Sequence, residues 1–306
     1  MIGIEAIGYY IPEGRTSNLD RLEHFDTDES FVKNKIGIEE VSVMGEEEDT
    51  SILAVKAVED LVAKNGLVLN EIEALILVTQ NPDKNIPHTS AQVHELLDLP
   101  QSCACFDISL GCSGFVYGLA TLKSMMESQG MKKGLLVTSD PYSKILDPDD
   151  KNTSLLFGDA AAAALLSEQP VFEIGKFTFG TFGKEHRNLV CENDVLFMNG
   201  RGIFNFAARY VPKDVAALLE KNDVSIDDID KFVFHQGSKY IVDTLTKRLK
   251  LDPEKVLFDA RHYGNTVSSS IPIILAKVIE DATAKKVLLC GFGVGLSWSS
   301  NIITRI

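Results

Sequence analysis

"KNGLVLNEIEALILVTQ", residues 64–80, and "KNDVSIDDIDKFVFHQ", residues 221–236, are two versions of one passage, 157 positions apart. Each runs from a basic start through an acidic helix-to-strand loop into an apolar run of strand length, which is the mark of an internal repeat. A second pair, "MKKGLLVTSD" (131–140) and "AKKVLLCGFG" (284–293), lines up at an offset of 153, four residues fewer. Carried backwards, this offset lays "LGCSGFVYGLATLKSMM" (110–126) over "YGNTVSSSIPIILAKVI" (263–279), with Gly111 over Gly264 and Cys112 over Asn265. A duplicated domain packed about a pseudo-twofold axis brings equivalent helix starts together at its centre, so Cys112 and Asn265 are expected to face one another. On the first offset His235 overlies Val78, a polar ring at a strand end where the other copy is apolar.

The repeat divides the chain into halves 1–168 and 169–306. The turn "SEQPV" and the strand-like "FEIGKFTFG" within 167–185 form the junction, and no flexible linker separates the halves. Near-continuous apolar runs at 74–79, 134–139, 161–166, 231–235 and 286–291 have the look of buried parallel strands. Between them, "SILAVKAVEDLVAKN" (51–65) places Leu53, Val55, Ala57, Val58, Leu61 and Val62 mostly on one helical face, with Asp49, Thr50 and Ser51 as cap candidates. The alternation predicts an α/β protein with a mixed or parallel sheet.

At 306 residues and 45% hydrophobic content the chain can bury a sizeable core. It shows no basic-then-apolar leader and no apolar run near the ~20 residues of a membrane helix, so a cytosolic, soluble protein is expected. Five cysteines without CxxC spacing argue against a disulfide framework and a structural zinc site. A net charge of −14 argues against nucleic acid as a partner.

In "FDISLGCSGFVYGLA" (106–120), Cys112 precedes a helical face of Phe115, Leu119, Leu122 and Met126, so its sulfur is expected at a helix N-terminus. There the dipole and unpaired N–H groups favour the thiolate, and a thiol value of about 8.5 can drop by a unit or more. The competing reading is an inert buried cysteine. His235, at the carboxyl end of a strand, stands where open α/β sheets bind ligands, although a lone histidine is equally a packing residue. Asn265 is a turn residue or an amide donor. Together the three offer a thiol, an imidazole and an amide at matching places of two half-copies.

The sequence resembles the β-ketoacyl-acyl-carrier-protein synthase III family of the thiolase-like superfamily, nearly end to end. The motifs are "IGIEAIGYYIP" (2–12), "FDISLGCSGFVYGL" (106–119), "LLFGDAAAAALL" (155–166), "LFMNGRGIFNFA" (196–207), "FVFHQGS" (232–238), "YGNTVSSSIP" (263–272) and "GFGVGLSW" (291–298). The resemblance implies a five-layered αβαβα fold of two duplicated halves, a homodimer, a place in fatty-acid or related lipid metabolism, and a catalytic Cys112–His235–Asn265 triad. It implies that Cys112 takes an acyl group from a thioester, after which a malonyl thioester decarboxylates and condenses with it. His235 Nε2 and the Asn265 amide would donate to the malonyl thioester carbonyl, and backbone N–H groups of Cys112 and Val294 would form the second oxyanion hole. No metal or redox cofactor is called for; the substrates ride on coenzyme A or acyl carrier protein.

The chain also departs from the family. Members that take coenzyme A commonly have a Trp and an Arg where Phe31 and Lys35 stand here, with Glu39 in place of a further basic residue, which puts tight coenzyme A binding in question. Ser238 and Lys239, with Gly237 and Tyr240, alter the tunnel mouth. Ile86 is placed in the acyl pocket with Phe157. Lys35, Arg201, Arg209, Lys213, Lys239, Lys247 and Arg248 are candidates for the basic patch that meets an acidic carrier protein. These departures suggest a specialised relative, from a secondary-metabolite or surface-glycan pathway. An acyltransferase that omits decarboxylation and a non-catalytic heterodimer subunit are the alternatives. Cys103 and Cys105 are expected on one side of a strand, Cys290 in a buried strand, and His24, His88, His94, His186 and His262 outside any ligand cluster.

Overall fold

The computed structural model describes residues 1–306. The first half comprises β1 (Gly3–Tyr10), β2 (Gly14–Ser17), β3 (Glu40–Val43), α1 (Thr50–Asn65), β4 (Ala74–Val78), α2 (Thr89–Leu96), β5 (Ala104–Ile108), α3 (Gly114–Gln129), β6 (Lys133–Ser139), α4 (Lys151–Ser154) and β7 (Ala161–Ser167). The second comprises β8 (Phe172–Thr181), β9 (Leu189–Glu192), β10 (Val195–Met198), α5 (Gly200–Asn222), β11 (Lys231–Phe234), α6 (Lys239–Leu249), α7 (Ser270–Glu280), β12 (Lys286–Gly293) and β13 (Ser297–Arg305).

Nine strands are ordered β11-β12-β13-β8-β1-β7-β6-β4-β5. Read outward from the short β1–β8 seam, the two sides repeat one pattern. β4 runs parallel to β6 as β11 does to β12, and β6 runs antiparallel to β7 as β12 does to β13. Beyond β11, where β5 flanks β4 in the first half, a single parallel bridge joins Phe232 to Val256. The 157-residue offset holds even at the helix ends: Gly66 closes α1 and Asp223 closes α5, both left-handed at φ +64° and +55°.

The apolar run at 161–166 is a strand, but an antiparallel one, contrary to the parallel expectation. The connection from β6 holds only a 3-10 turn and the four-residue α4, and β7 returns antiparallel between β6 and β1. Its continuous apolarity comes from burial on both faces, Ala161, Ala163 and Leu165 packing with α1 and Ala164 and Leu166 in the central core.

The helices sort into three layers around the two sheet halves. α1 and α2 cover the outside of the first half, α5 and α6 the outside of the second. α3 and α7 lie between, sharing one core with β4, β6 and β12. Phe115, Leu119, Leu122 and Met126 of α3 are all buried there, each worth about 1.5–3 kcal/mol. The central helices are thereby fixed, and with them the two helix starts that carry Cys112 and Asn265.

Candidate active site

Cys112 lies in the tight turn between β5 and α3, two residues ahead of the helix, where the Gly114 N–H donates to the Gly111 carbonyl at 2.7 Å. A Cβ on Gly114 would stand 2.4 Å from Val78 Cγ1, so glycine is what lets the turn close against β4. Gly293, the last residue of β12, is required in the same way, because a Cβ there would meet Cys112 Sγ at 2.6 Å. His235 extends β11 by one residue, its N–H donating to the Cys290 carbonyl at 2.9 Å. Asn265 is pinned on both sides: its N–H donates to Leu156 O at 2.8 Å and its carbonyl accepts from Gly158 N at 3.0 Å.

One cavity of about 420 Å³ is lined by Cys112, His235 and Asn265 together. Asn265 Oδ1 accepts from the Val267 N–H at 2.9 Å, which leaves the amide N–H₂ to donate elsewhere. His235 Nδ1 is 2.8 Å from Ser270 Oγ, whose own hydrogen goes to the Val267 carbonyl at 3.1 Å. Nδ1 therefore carries the ring hydrogen, and burial pushes the imidazole down to about 3, against the smaller raising effect of the Val267 carbonyl. In the neutral ring Nε2 is bare. In this tautomer Nε2 accepts the first proton.

The expected thiolate is corrected too. Burial pushes the Cys112 thiol up to about 12, and the nearby Asp140 charge adds to this. Backbone N–H groups of Val294 and Cys112 bond the sulfur and pull the other way, without prevailing. A helix terminus favours the thiolate, and desolvation outweighs it.

Of the other expected residues, Phe31, Lys35, Phe157 and Ser238 line the cavity. Lys35 and Lys151 hold their ammonium groups 5.3 and 4.8 Å from the centre of the Phe31 ring, at the mouth. Ser238 caps α6, accepting from the Ile241 N–H at 3.3 Å. Two expected residues lie outside this chain's cavity lining. Ile86 does not reach this chain's cavity and is 87% exposed, because Asp83 ties its loop to Ser51 at the start of α1. Lys239 is not among the lining residues; its ammonium is held by Asp243 one turn along α6, at 2.8 Å.

Arg209, Lys213 and Arg248 line a second groove, which shares Phe204 with the cavity, and Arg201 lines the cavity itself. Sequence reasoning missed Leu189 and Met198 of the β9–β10 hairpin, which wall the cavity, and Phe292, whose ring meets His235 edge-on at 5.6 Å. Phe292 and Met198 had a signal, lying inside the quoted "GFGVGLSW" and "LFMNGRGIFNFA"; Leu189 had none. Cys103 and Cys105 lie elsewhere, sulfurs 3.8 Å apart at the edge strand β5, and Cys290 is buried in β12.

The family model for 3-oxoacyl-[acyl-carrier-protein] synthase III matches residues 106–183, and the model for the C-terminal part of the same synthase matches residues 219–305. A β-ketoacyl-[acyl-carrier-protein] synthase III of Lactococcus lactis is 33% identical and one of Streptococcus mutans 36% identical, each alignment covering 98% of both chains. The crystal structure of the synthase III from Thermus thermophilus superposes with a TM-score of 0.93 at 33% identity over 99% of both chains. With this fold, these matches and this cavity, the chain belongs to the β-ketoacyl-acyl-carrier-protein synthase III family.

Proposed function

We propose that Cys112, His235 and Asn265 carry a two-stage decarboxylative condensation. The chain is a condensing enzyme of the acyltransferase class; its relatives are named as synthases, and neither an acyltransferase without decarboxylation nor a non-catalytic subunit is favoured. The observation that carries the residue assignment is the meeting of thiol, imidazole and amide in one cavity, with two backbone N–H groups at the sulfur.

In the first stage Cys112 Sγ attacks the acyl thioester as its proton passes to the bare Nε2 of His235. The developing oxyanion takes over the Val294 and Cys112 N–H groups, and the carrier leaves as a thiol with that proton. In the second stage the malonyl thioester loses carbon dioxide. The Asn265 amide stabilises the enolate beside the neutral His235 ring. The enolate carbon attacks the acyl-Cys carbonyl, the Cys112–acyl bond breaks, and a proton from solvent, relayed through Nε2, returns to sulfur. One proton is consumed per turnover, and no metal or redox cofactor enters.

The carriers in this reading are acyl carrier protein and acyl-coenzyme A. The groove of Arg209, Lys213 and Arg248 supports the acidic protein, reaching the tunnel past Phe204. Phe31, capped by Lys151, whose ammonium also bonds the Phe25 carbonyl at 3.0 Å, offers adenine a smaller and busier face than an open Trp. We further read the chain as two halves, 1–168 and 169–306, working as a cytoplasmic homodimer; no helix is long and apolar enough to cross a membrane. Intact-mass measurement after incubation with acyl-CoA and acyl-carrier thioesters, followed by carbon dioxide release from the malonyl thioester, tests the scheme. An adduct that survives Cys112→Ala, or condensation without carbon dioxide release, would refute it.

A further inference from the structure

We propose that Asp140 is a positioning residue for the second stage, its carboxylate anchoring the turn that aims Asn265 and His235. This inference rests on the reading above. Asp140 directly follows β6 and is fully buried. Its Oδ1 accepts from the Gln80 N–H at 2.7 Å and the Thr79 hydroxyl at 3.4 Å, both just after β4. Its Oδ2 accepts from the Ser268 hydroxyl, at the start of α7. One carboxylate thus ties the strand ends of the first half to the helix start of the second.

The anchored turn is strained and sits directly beneath the chemistry. Val267, a β-branched residue, is held at φ +52°, a left-handed conformation costing about 1–3 kcal/mol that persists only where neighbours enforce it. Its N–H fixes the Asn265 carboxamide, and its carbonyl receives Ser270 Oγ, which in turn holds His235 Nδ1. Releasing Ser268 lets Val267 relax, and both groups lose their aim.

Asp140→Asn and Ser268→Ala test the proposal through two readouts, acyl loading by intact mass and condensation with a malonyl thioester. Both variants should lose at least about tenfold in condensation relative to loading. A buried residue with a purely structural role would lower both steps alike. Condensation kept relative to loading in Asp140→Asn overturns the proposal. If Asp140→Asn does not fold, an unchanged ratio of condensation to loading in Ser268→Ala overturns it alone. If the parent never loads an acyl group, the reading above fails and the proposal with it, whereas normal loading with an unchanged ratio fails the proposal alone.

Discussion

Iodoacetamide at pH 8 should find Cys112 nearly inert, while an acyl thioester acylates it readily. With the thiol at about 12, only about one molecule in 10⁴ carries a thiolate at pH 8, against about one in ten for an ordinary thiol near 9. Alkylation through the thiolate is therefore slower by about 10³. Proton transfer within the site offers no escape, because His235 sits at about 3. That separation places the thiolate–imidazolium pair roughly 12 kcal/mol above the neutral pair, at about 1.4 kcal/mol per tenfold step. Attraction across 4 Å at an effective dielectric of 20 returns only about 4 kcal/mol.

A thioester changes the balance, because its carbonyl oxygen receives the charge and two backbone N–H groups await it, each worth about 3 kcal/mol. Loading thus needs no free thiolate. The assay is time-resolved intact mass with both reagents from pH 6 to 10. Log alkylation rate should climb by one unit per pH unit without a plateau, and acylation should be far flatter. An alkylation plateau with its midpoint near or below 7 would refute the reasoning, since it would show a resting thiolate that burial forbids.

Three further outcomes follow from the same geometry. Asn265→Ala should cut condensation by about 10²–10³, the value of one oxyanion donor, while acyl loading at Cys112 stays within a few-fold; stopped-flow loading against steady-state turnover separates them. His235 lies below its ordinary 6.5 when folded, so the stability owed to keeping it neutral is complete above pH 6.5 and lost as pH falls towards 3, at up to about 1.4 kcal/mol per pH unit. Asp140, raised from 3.8 to about 6, acts in the opposite sense over its own window and masks this slope in the parent, so urea midpoints of His235→Leu and the parent are compared at each pH between 4 and 7, where the parent's stability minus the variant's should rise with pH. Arg209→Glu combined with Lys213→Glu should raise KM for carrier-protein substrates at low salt and leave acyl-CoA loading unchanged, the difference shrinking at high salt.

Much of the fold was legible because buried strands and helices write their periods into the chain. α1 was visible to within a residue, and the strands at 74–78, 133–139, 231–234 and 286–293 fell where apolar runs ended at turns. What did not read through was set by surroundings. Strand direction at β7 is set by the β1 and β6 strands it pairs with, not by its own alanines. Ile86 and Lys239 were placed by neighbours in sequence, whereas Asp83 and Asp243 decide where they stand. The thiol's ionisation was misjudged because a helix terminus is local and desolvation is not. Asp140 had no signal at all: a single Asp after a strand is ordinary until the other half folds against it.

The repeat explains why the chemistry is lopsided in so symmetric a frame. In both halves the residue closing the fourth-position strand, Val78 or His235, lies under the start of a central helix. In the first half that contact is dry: Val78 packs so tightly against the turn that only Gly114 fits above it. In the second, the equivalent contact is polar, with His235 bonding Ser270 beside the strained Val267. A packing contact on one side fixes the turn that presents Cys112, and a hydrogen-bonded one on the other fixes the ring and amide that would answer it. Exchanging the apolar contact for a polar one in the first half, as in Val78→His, would bury an unpartnered imidazole under α3, at a cost of about 1–3 kcal/mol, and loosen the turn that holds the nucleophile.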